Sequence, residues 1–358
     1  MTVAGLVRLR KHQFGRQDTF GTKVAATRAY AFKGVPSVDL AWTDPDVDVG
    51  SIVTTVDPQR GIPVLTAPLT DPQLAYNNLP LVLDGVFGGN VNPTGGAIET
   101  WTWEPSAVDP LDDESDFTYE FFDDTGSSDA YQLGDGILDS VTFTAPEGLG
   151  ALTTAMAWRF GSAASNSSTD SPPSPAVPTA GLDVELDPAL VYLKDMAIYI
   201  ASTAAGLSGG QVSDALHSYE MVIAQTNDDK RFANGAQTFD VNDRSRTGYS
   251  VTLTCSWAKT SDIIGTGSET DAWFSDTAVN RYVRLTFTST KIISGATPYS
   301  WTMDMPMRYY TRTEGDSGGN AIVVLEGHAF YDSGTFDGFF KTTVKNNLHA
   351  ADLGSATS

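Results

Sequence analysis

The chain has 358 residues, 41% hydrophobic and 10% aromatic, which supplies a sizeable core and excludes a chain held open by charge. Its 22 basic and 44 acidic residues leave a formal net charge of −22, which repels nucleic acid and argues against a phosphate-binding groove. The one cysteine, Cys255, excludes an intrachain disulfide framework and any zinc site built on several thiolates.

This length fits about two domains of ordinary size. No apolar run is long enough to span a membrane, and the basic residues of the first eleven positions are not followed by an apolar stretch, so no secretion signal is expected. The basic residues of the first half cluster at its start, from Arg8 to Lys33, and none occurs between Arg60 and Arg159.

Taken along the chain, strands dominate. A strand near Ile62–Leu69 leads to Asp71-Pro72, which reads as an N-cap with proline at the first helical position. The spacing predicts a short helix over Gln73–Asn78, limited by Pro80. Aromatic strands follow at Thr100–Trp103 and Phe117–Phe122, then Ile137–Ala145 and Ala151–Phe160. In the last of these Leu152, Thr154, Met156, Trp158 and Phe160 share a face by period-two alternation. Residues 161–180 place prolines at 172, 173, 175 and 178 among small polar residues, as in an extended, solvated connector.

Beyond it, Tyr249, Val251, Leu253, Cys255 and Trp257 alternate with Ser and Thr. Ser268-Glu269-Thr270-Asp271 has capping-box spacing before a helix over 270–279, which Trp273 and Phe274 would anchor to a sheet. Strands then fall at Tyr282–Thr288, Tyr299–Tyr310 and Ala321–Tyr331. Pro306 cannot donate to a ladder, so its strand is expected at an edge or with a bulge. The order strand, short helix, several strands thus occurs twice. It predicts a mainly β chain of two tandem domains, residues 1–165 and 182–358, joined by a connector over 166–181.

Three patterns invite a chemical reading. Gly315-Asp316-Ser317-Gly318-Gly319 matches the nucleophile run of trypsin-like serine proteases. None of His12, His217, His328 and His349 has that family's histidine setting, and Gly, Asp and Ser between two strand-like segments make a turn. Asp44-Pro45-Asp46-Val47-Asp48 opens like a calcium loop, yet Val49 stands where glycine is needed and Thr55 where glutamate is needed. The runs 112–116 and 123–124 could supply carboxylate pairs for acid–base work, but dense runs of this kind are solvated loop charges. The four histidines show no close metal-ligand spacing. No catalytic, cofactor-binding or metal-binding residue is therefore assigned, and the chain is expected not to be an enzyme.

The run Phe14-Gly15-Arg16-Gln17-Asp18-Thr19-Phe20-Gly21-Thr22-Lys23-Val24-Ala25-Ala26-Thr27-Arg28 resembles the opening of the major tail, or tail tube, proteins of long-tailed bacteriophages. Gly136–Phe160 is similar to the paired strands that end their first domain, and Ala189–Leu207 to the hairpin that opens their second. Tyr299–Pro306 resembles a strand near their end, and Val323–Asp332 their closing strand. These runs keep the family's order across nearly the whole chain, although the connector is longer and richer in proline than the family pattern.

The resemblance implies β-sandwich or barrel domains, each with one flanking helix, that close into rings and stack into a hollow tube. It implies a structural virion protein made and assembled in the host bacterial cytoplasm, with no cofactor. Its partners would be further copies of itself and other tail proteins: tape measure, tail terminator and distal tail. If the halves are duplicates, three chains supply a pseudo-sixfold ring, and a trimer is expected over a hexamer. DNA would pass through the bore without specific binding, past an acidic wall for which the base-free span Gly61–Trp158 is the foremost candidate. The connector would touch a neighbouring subunit or lie as a loose loop. A baseplate or adhesin subunit is the alternative.

Overall fold

The computed structural model describes residues 10–17, 21–39, 42–43, 59–60, 64–88, 93–105, 116–122, 131–145, 147–148, 150–163, 182, 184–209, 211–212, 216–230, 241–258, 280–334 and 336–353. In the first half, β1 (Lys11–Gln17) and β2 (Arg28–Tyr30) precede β3 (Val64–Asp71) and helix α1 (Leu79–Phe87). Strands β4 (Glu99–Trp103), β5 (Asp116–Phe122), β6 (Tyr131–Ala145) and β7 (Thr153–Phe160) follow. The second half has β8 (Met196–Ala201), β9 (Leu216–Lys230), β10 (Val241–Ala258), β11 (Arg281–Ser294), β12 (Thr297–Ser317), β13 (Asn320–Ala329), β14 (Lys341–Asn346) and the single turn α2 (Ala350–Leu353). With the shorter strands, nineteen among the described residues join one antiparallel hydrogen-bonded network.

That network does not divide at the connector. In β6, residues Ser140–Thr144 pair with β7 on one side and with Glu220–Ala224 of β9 on the other. In β14, Thr342–Asn346 pair with Glu99–Trp103, while Ser300–Asp304 of β12 occupy its other edge. Strands from 1–165 and 182–358 thus continue one another's ladders. One apolar cluster, containing Trp101 and Trp158 of the first half and Trp257 and Trp301 of the second, packs between them.

The alternating segments form the strands expected of them. Met156, Trp158 and Phe160 are buried on β7, Val251, Leu253, Cys255 and Trp257 on β10, and Trp301, Met303, Met305 and Met307 on β12. Period two explains why these faces were readable: successive side chains point to opposite sides of a strand. Each buried tryptophan removes about 150–250 Å² from water, worth roughly 4–6 kcal/mol as an upper figure from area alone.

Two expectations need correction. The first concerns the helix. Residues Gln73–Asn78 are not helical, and α1 begins at Leu79, with Pro80 in its first turn. There the missing N–H costs nothing, so this proline opens a helix instead of limiting one. The Asp71 carboxylate is engaged differently: it accepts from Gln73 N at 3.1 Å and from Asn78 Nδ2 at 2.8 Å. The backbone between is spent on other segments, with Leu74 N donating to Leu152 O and Tyr76 N to Ala189 O. Every residue of α1 is buried, which suits a helix apolar on all sides. The helix expected over 270–279 and the 166–181 connector lie outside the described residues.

The second correction concerns only half of the Pro306 expectation. Its strand, β12, is not at an edge at this point, but it does carry a bulge, where the pairing with β13 shifts register between Tyr309 and Thr311. Pro306 sits opposite Tyr282 of β11, and on its other side the pairing with β14 ends at Asp304 while that with β13 begins at Met307. Its carbonyl accepts from Phe330 N, so the missing donor faces this changeover between two neighbours.

Candidate functional site

The GDSGG run forms a tight hairpin. Ser317 pairs with Asn320, and Gly318 and Gly319 between them have φ of 59° and 86°. A two-residue turn of this hand needs positive φ at both positions, which explains the glycine pair without catalysis. Ser317 Oγ donates to Glu147 Oε2 at 2.6 Å, and His217 Nδ1 lies 3.4 Å from Glu147 Oε1. The carboxylate therefore stands between serine and imidazole, whereas the protease order places imidazole between serine and carboxylate. Hydrogen bonds from Ser317 and then His217 hold the Glu147 carboxyl below its usual range, which makes it a poor proton acceptor. Serine-directed fluorophosphonate should leave the protein unlabelled; labelling that disappears in Ser317→Ala would restore the protease reading.

Cys255 is buried on β10, and burial pushes its thiol well above the usual range. A thiol reagent should react only when the chain unfolds; fast reaction of the native protein would contradict this burial. Among the described residues no group of three or more His, Cys, Asp or Glu side chains could hold a metal. The Asp44–Thr55 run and the acidic residues 112–115 and 123–124 lie outside the described residues.

The best-defined polar site is built by the Phe14–Arg28 run itself. Phe14 enters the core, 4.8 Å from the Tyr119 ring and 5.0 Å from that of Trp158. The chain then returns so that Phe14 pairs with Arg28 and Thr27 N donates to Phe14 O. At Gly15 a Cβ would lie 2.6 Å from Ala25 O, so the return passes too close for any side chain.

Buried carboxylates from the base-free span fasten this return. Asp135 Oδ1 accepts from Gly21 N at 2.7 Å and from Gln17 Nε2 at 3.2 Å, while Asp135 N donates to Gln17 Oε1 at 2.7 Å. Glu120 accepts from Gln13 Nε2 and Gln132 Nε2. Asp84 of α1 lies 3.6 Å from Arg16 Nε, with its side chain almost wholly enclosed. Asp71, Asp84, Glu99, Asp116, Glu120 and Asp135 are all buried. These six carboxylates line no outer surface, so they are not the part of the span's charge that could face a bore. Of its described acidic residues, Glu104 and Glu147 are exposed and Asp139 half-buried. The charge segregation visible in the sequence is in this part an internal pairing between the N-terminal run and the span that follows.

Two further junctions were not apparent from sequence. Arg28 Nη2 donates to Glu185 Oε2 at 3.2 Å, and Thr27 Oγ1 donates to Asp352 O at 2.8 Å. Their partners are more than 150 residues away, and no spacing rule links them. No protein-family model matches the chain, and no curated protein matches it significantly.

Proposed function

We propose that the chain is a structural subunit of a long-tailed phage virion, assembling into stacked rings that form the tail tube. The observation that carries this reading is the ordered series of family-like runs, headed by Phe14–Arg28. The mainly antiparallel β architecture supports it, as does the attachment of the first run to Asp84, Glu120 and Asp135, which accounts for that run as a structural element.

The surface supplies candidates for subunit contact. Thr311–Ser317 of β12 pair with β13 on one side only among the described residues, and an open edge of this kind lets a neighbouring chain continue the sheet. Tyr310 stands exposed at the base of that segment, and Tyr331 is exposed just beyond β13. The tandem division into 1–165 and 182–358 belongs to this proposal, as does the ring of three chains that duplication would give. The strands shared across the connector would then join two like units. A baseplate or adhesin subunit is the second reading; it predicts discrete oligomers in place of tubes.

Negative-stain images of concentrated protein should show rings or tubes. Each chain brings a charge of −22, so assembly should strengthen with salt as the Debye length falls from about 10 Å at 0.1 M to about 3 Å at 1 M. Monomers at every salt concentration would overturn the reading, and six whole chains per ring would defeat the duplication.

A further inference from the structure

The last described turn is held at three points. Asn346 of β14 accepts from Trp101 Nε1 and from Leu348 N on its Oδ1, each at 3.1 Å. Asp352 closes the turn by accepting from His349 N at 3.0 Å, and its carbonyl accepts from Thr27 Oγ1 at 2.8 Å. Between these points His349 Nδ1 lies 2.8 Å from Glu99 Oε1 of β4. Leu348 and Leu353 of the same segment are buried.

Glu99 and His349 are an unequal pair: the Glu99 side chain is 8% exposed and that of His349 58%. A carboxylate only accepts, so Nδ1 carries the hydrogen. The charged groups of the neighbouring elements are turned elsewhere. Lys345, next to Asn346 on β14, is exposed and stands on the other face of the strand. Lys341 pairs with Glu104, and Arg28 with Glu185. Asp352, on the turn itself, meets the His349 backbone, and Tyr76 offers only its carbonyl, to Asn346 Nδ2. Among the described residues His349 is thus the one cationic group that Glu99 meets.

A carboxylate taken out of water is costly unless its charge is matched. A neutral imidazole gives Glu99 one ordinary hydrogen bond, whereas an imidazolium gives it a charge-assisted one, roughly twice as strong. Histidine is the side chain whose charge ordinarily changes between pH 5 and 8. We infer that Asn346–Leu353 is a proton-operated strap: charged His349 closes it onto Glu99 and onto Thr27 of the N-terminal run, and neutral His349 lets it loosen. The closed strap holds the proton that the open one releases, so closure strengthens as pH falls through the histidine range. Opening uncovers Leu348 and Leu353 beside the N-terminal run. The strap does not depend on the tube reading.

The test follows backbone amide exchange in ¹⁵N-labelled protein at pH 6 and pH 8, each rate divided by that of an unstructured chain. The reporters are Leu348 and Asp352, whose N–H groups bond within the strap to Asn346 Oδ1 and His349 O. Gly21, bonded to Asp135, is the reference outside it. Protection of both reporters relative to Gly21 should be about threefold to tenfold greater at pH 6. That is the gap between a charge-assisted and a neutral bond, less the share that water takes at an exposed imidazole. His349→Gln, which can still donate but cannot charge, should abolish the rise. Equal protection at both pH values, or an equal rise in this variant, would overturn the inference. Glu99→Gln removes the carboxylate and leaves the imidazole. Loss of the rise there supports the pair and its persistence sinks it, so the test stands even if His349→Gln fails to fold.

Discussion

Asp135→Ala is expected to destabilise the protein by about 3 kcal/mol or more, the largest effect of any single polar substitution we foresee. The carboxylate is buried and joins two distant parts of the chain. Without it Gly21 N loses an acceptor at 2.7 Å, and Gln17 keeps only Thr22 O for its amide nitrogen. Leaving one buried donor unmet costs about 1–3 kcal/mol. Asp135 also sits at φ 56°, a conformation that aspartate tolerates better than alanine. Its charge further offsets part of the burial that lowers the Lys23 pKa. Asp135→Asn keeps one acceptor oxygen and the backbone preference, so it should lose less. Urea unfolding gives the stability change, and trypsin cleavage near Arg16 and Lys23 should quicken in step with it. An Asp135→Ala protein within about 0.5 kcal/mol of wild type, and equally resistant to trypsin, would show that the N-terminal run is held by its aromatic contacts alone.

That attachment marks the limit of what could be read from the sequence. Strand faces such as Met156–Trp158–Phe160 were legible because a half-buried strand imposes a period of two on its own residues. The Gly318–Gly319 turn was legible for the same local reason. The Asp71 helix signal misled because the same carboxylate can cap a helix or close a turn, and the choice fell to Leu152 and Ala189, the distant carbonyls that take the backbone donors of Leu74 and Tyr76. The lopsided charge was plain, but its meaning was not. Asp84, Glu120 and Asp135 lie 68 to 118 residues from Arg16, Gln13 and Gln17, and nothing local distinguishes an inward carboxylate from an outward one. The Ser317–Glu147 and Thr27–Asp352 contacts were hidden likewise, by separations of 170 and 325 residues.

Stability is expected to fall as pH drops from about 6.5 to about 4, and His12 should be the main single cause. His12 is buried on β1; its Nδ1 lies 2.9 Å from Tyr119 Oη, and Phe121 and Phe32 flank its ring. Burial first, and Arg10 second, lower its pKa from the usual 6.5 to about 4. Between those values the unfolded chain binds a proton that the folded chain refuses, so unfolding gains as pH falls. The full contribution is present above pH 6.5 and lost towards pH 4; a gap of this size corresponds to about 3 kcal/mol. Asp71 acts in the opposite sense. Burial, its largest influence, raises its carboxyl above the usual 3.8, so its proton uptake favours the fold as pH falls and offsets part of the loss. The two are separated by His12→Gln, which can still hydrogen-bond to Tyr119 but cannot charge. Its urea midpoint should change much less than that of wild type between pH 7 and pH 4.5, with the curves separating towards the acid end as wild type alone loses stability. Parallel curves for the two proteins would remove His12 as the cause and leave the acid sensitivity to the carboxylates, whose protonation would then have to release the N-terminal run directly.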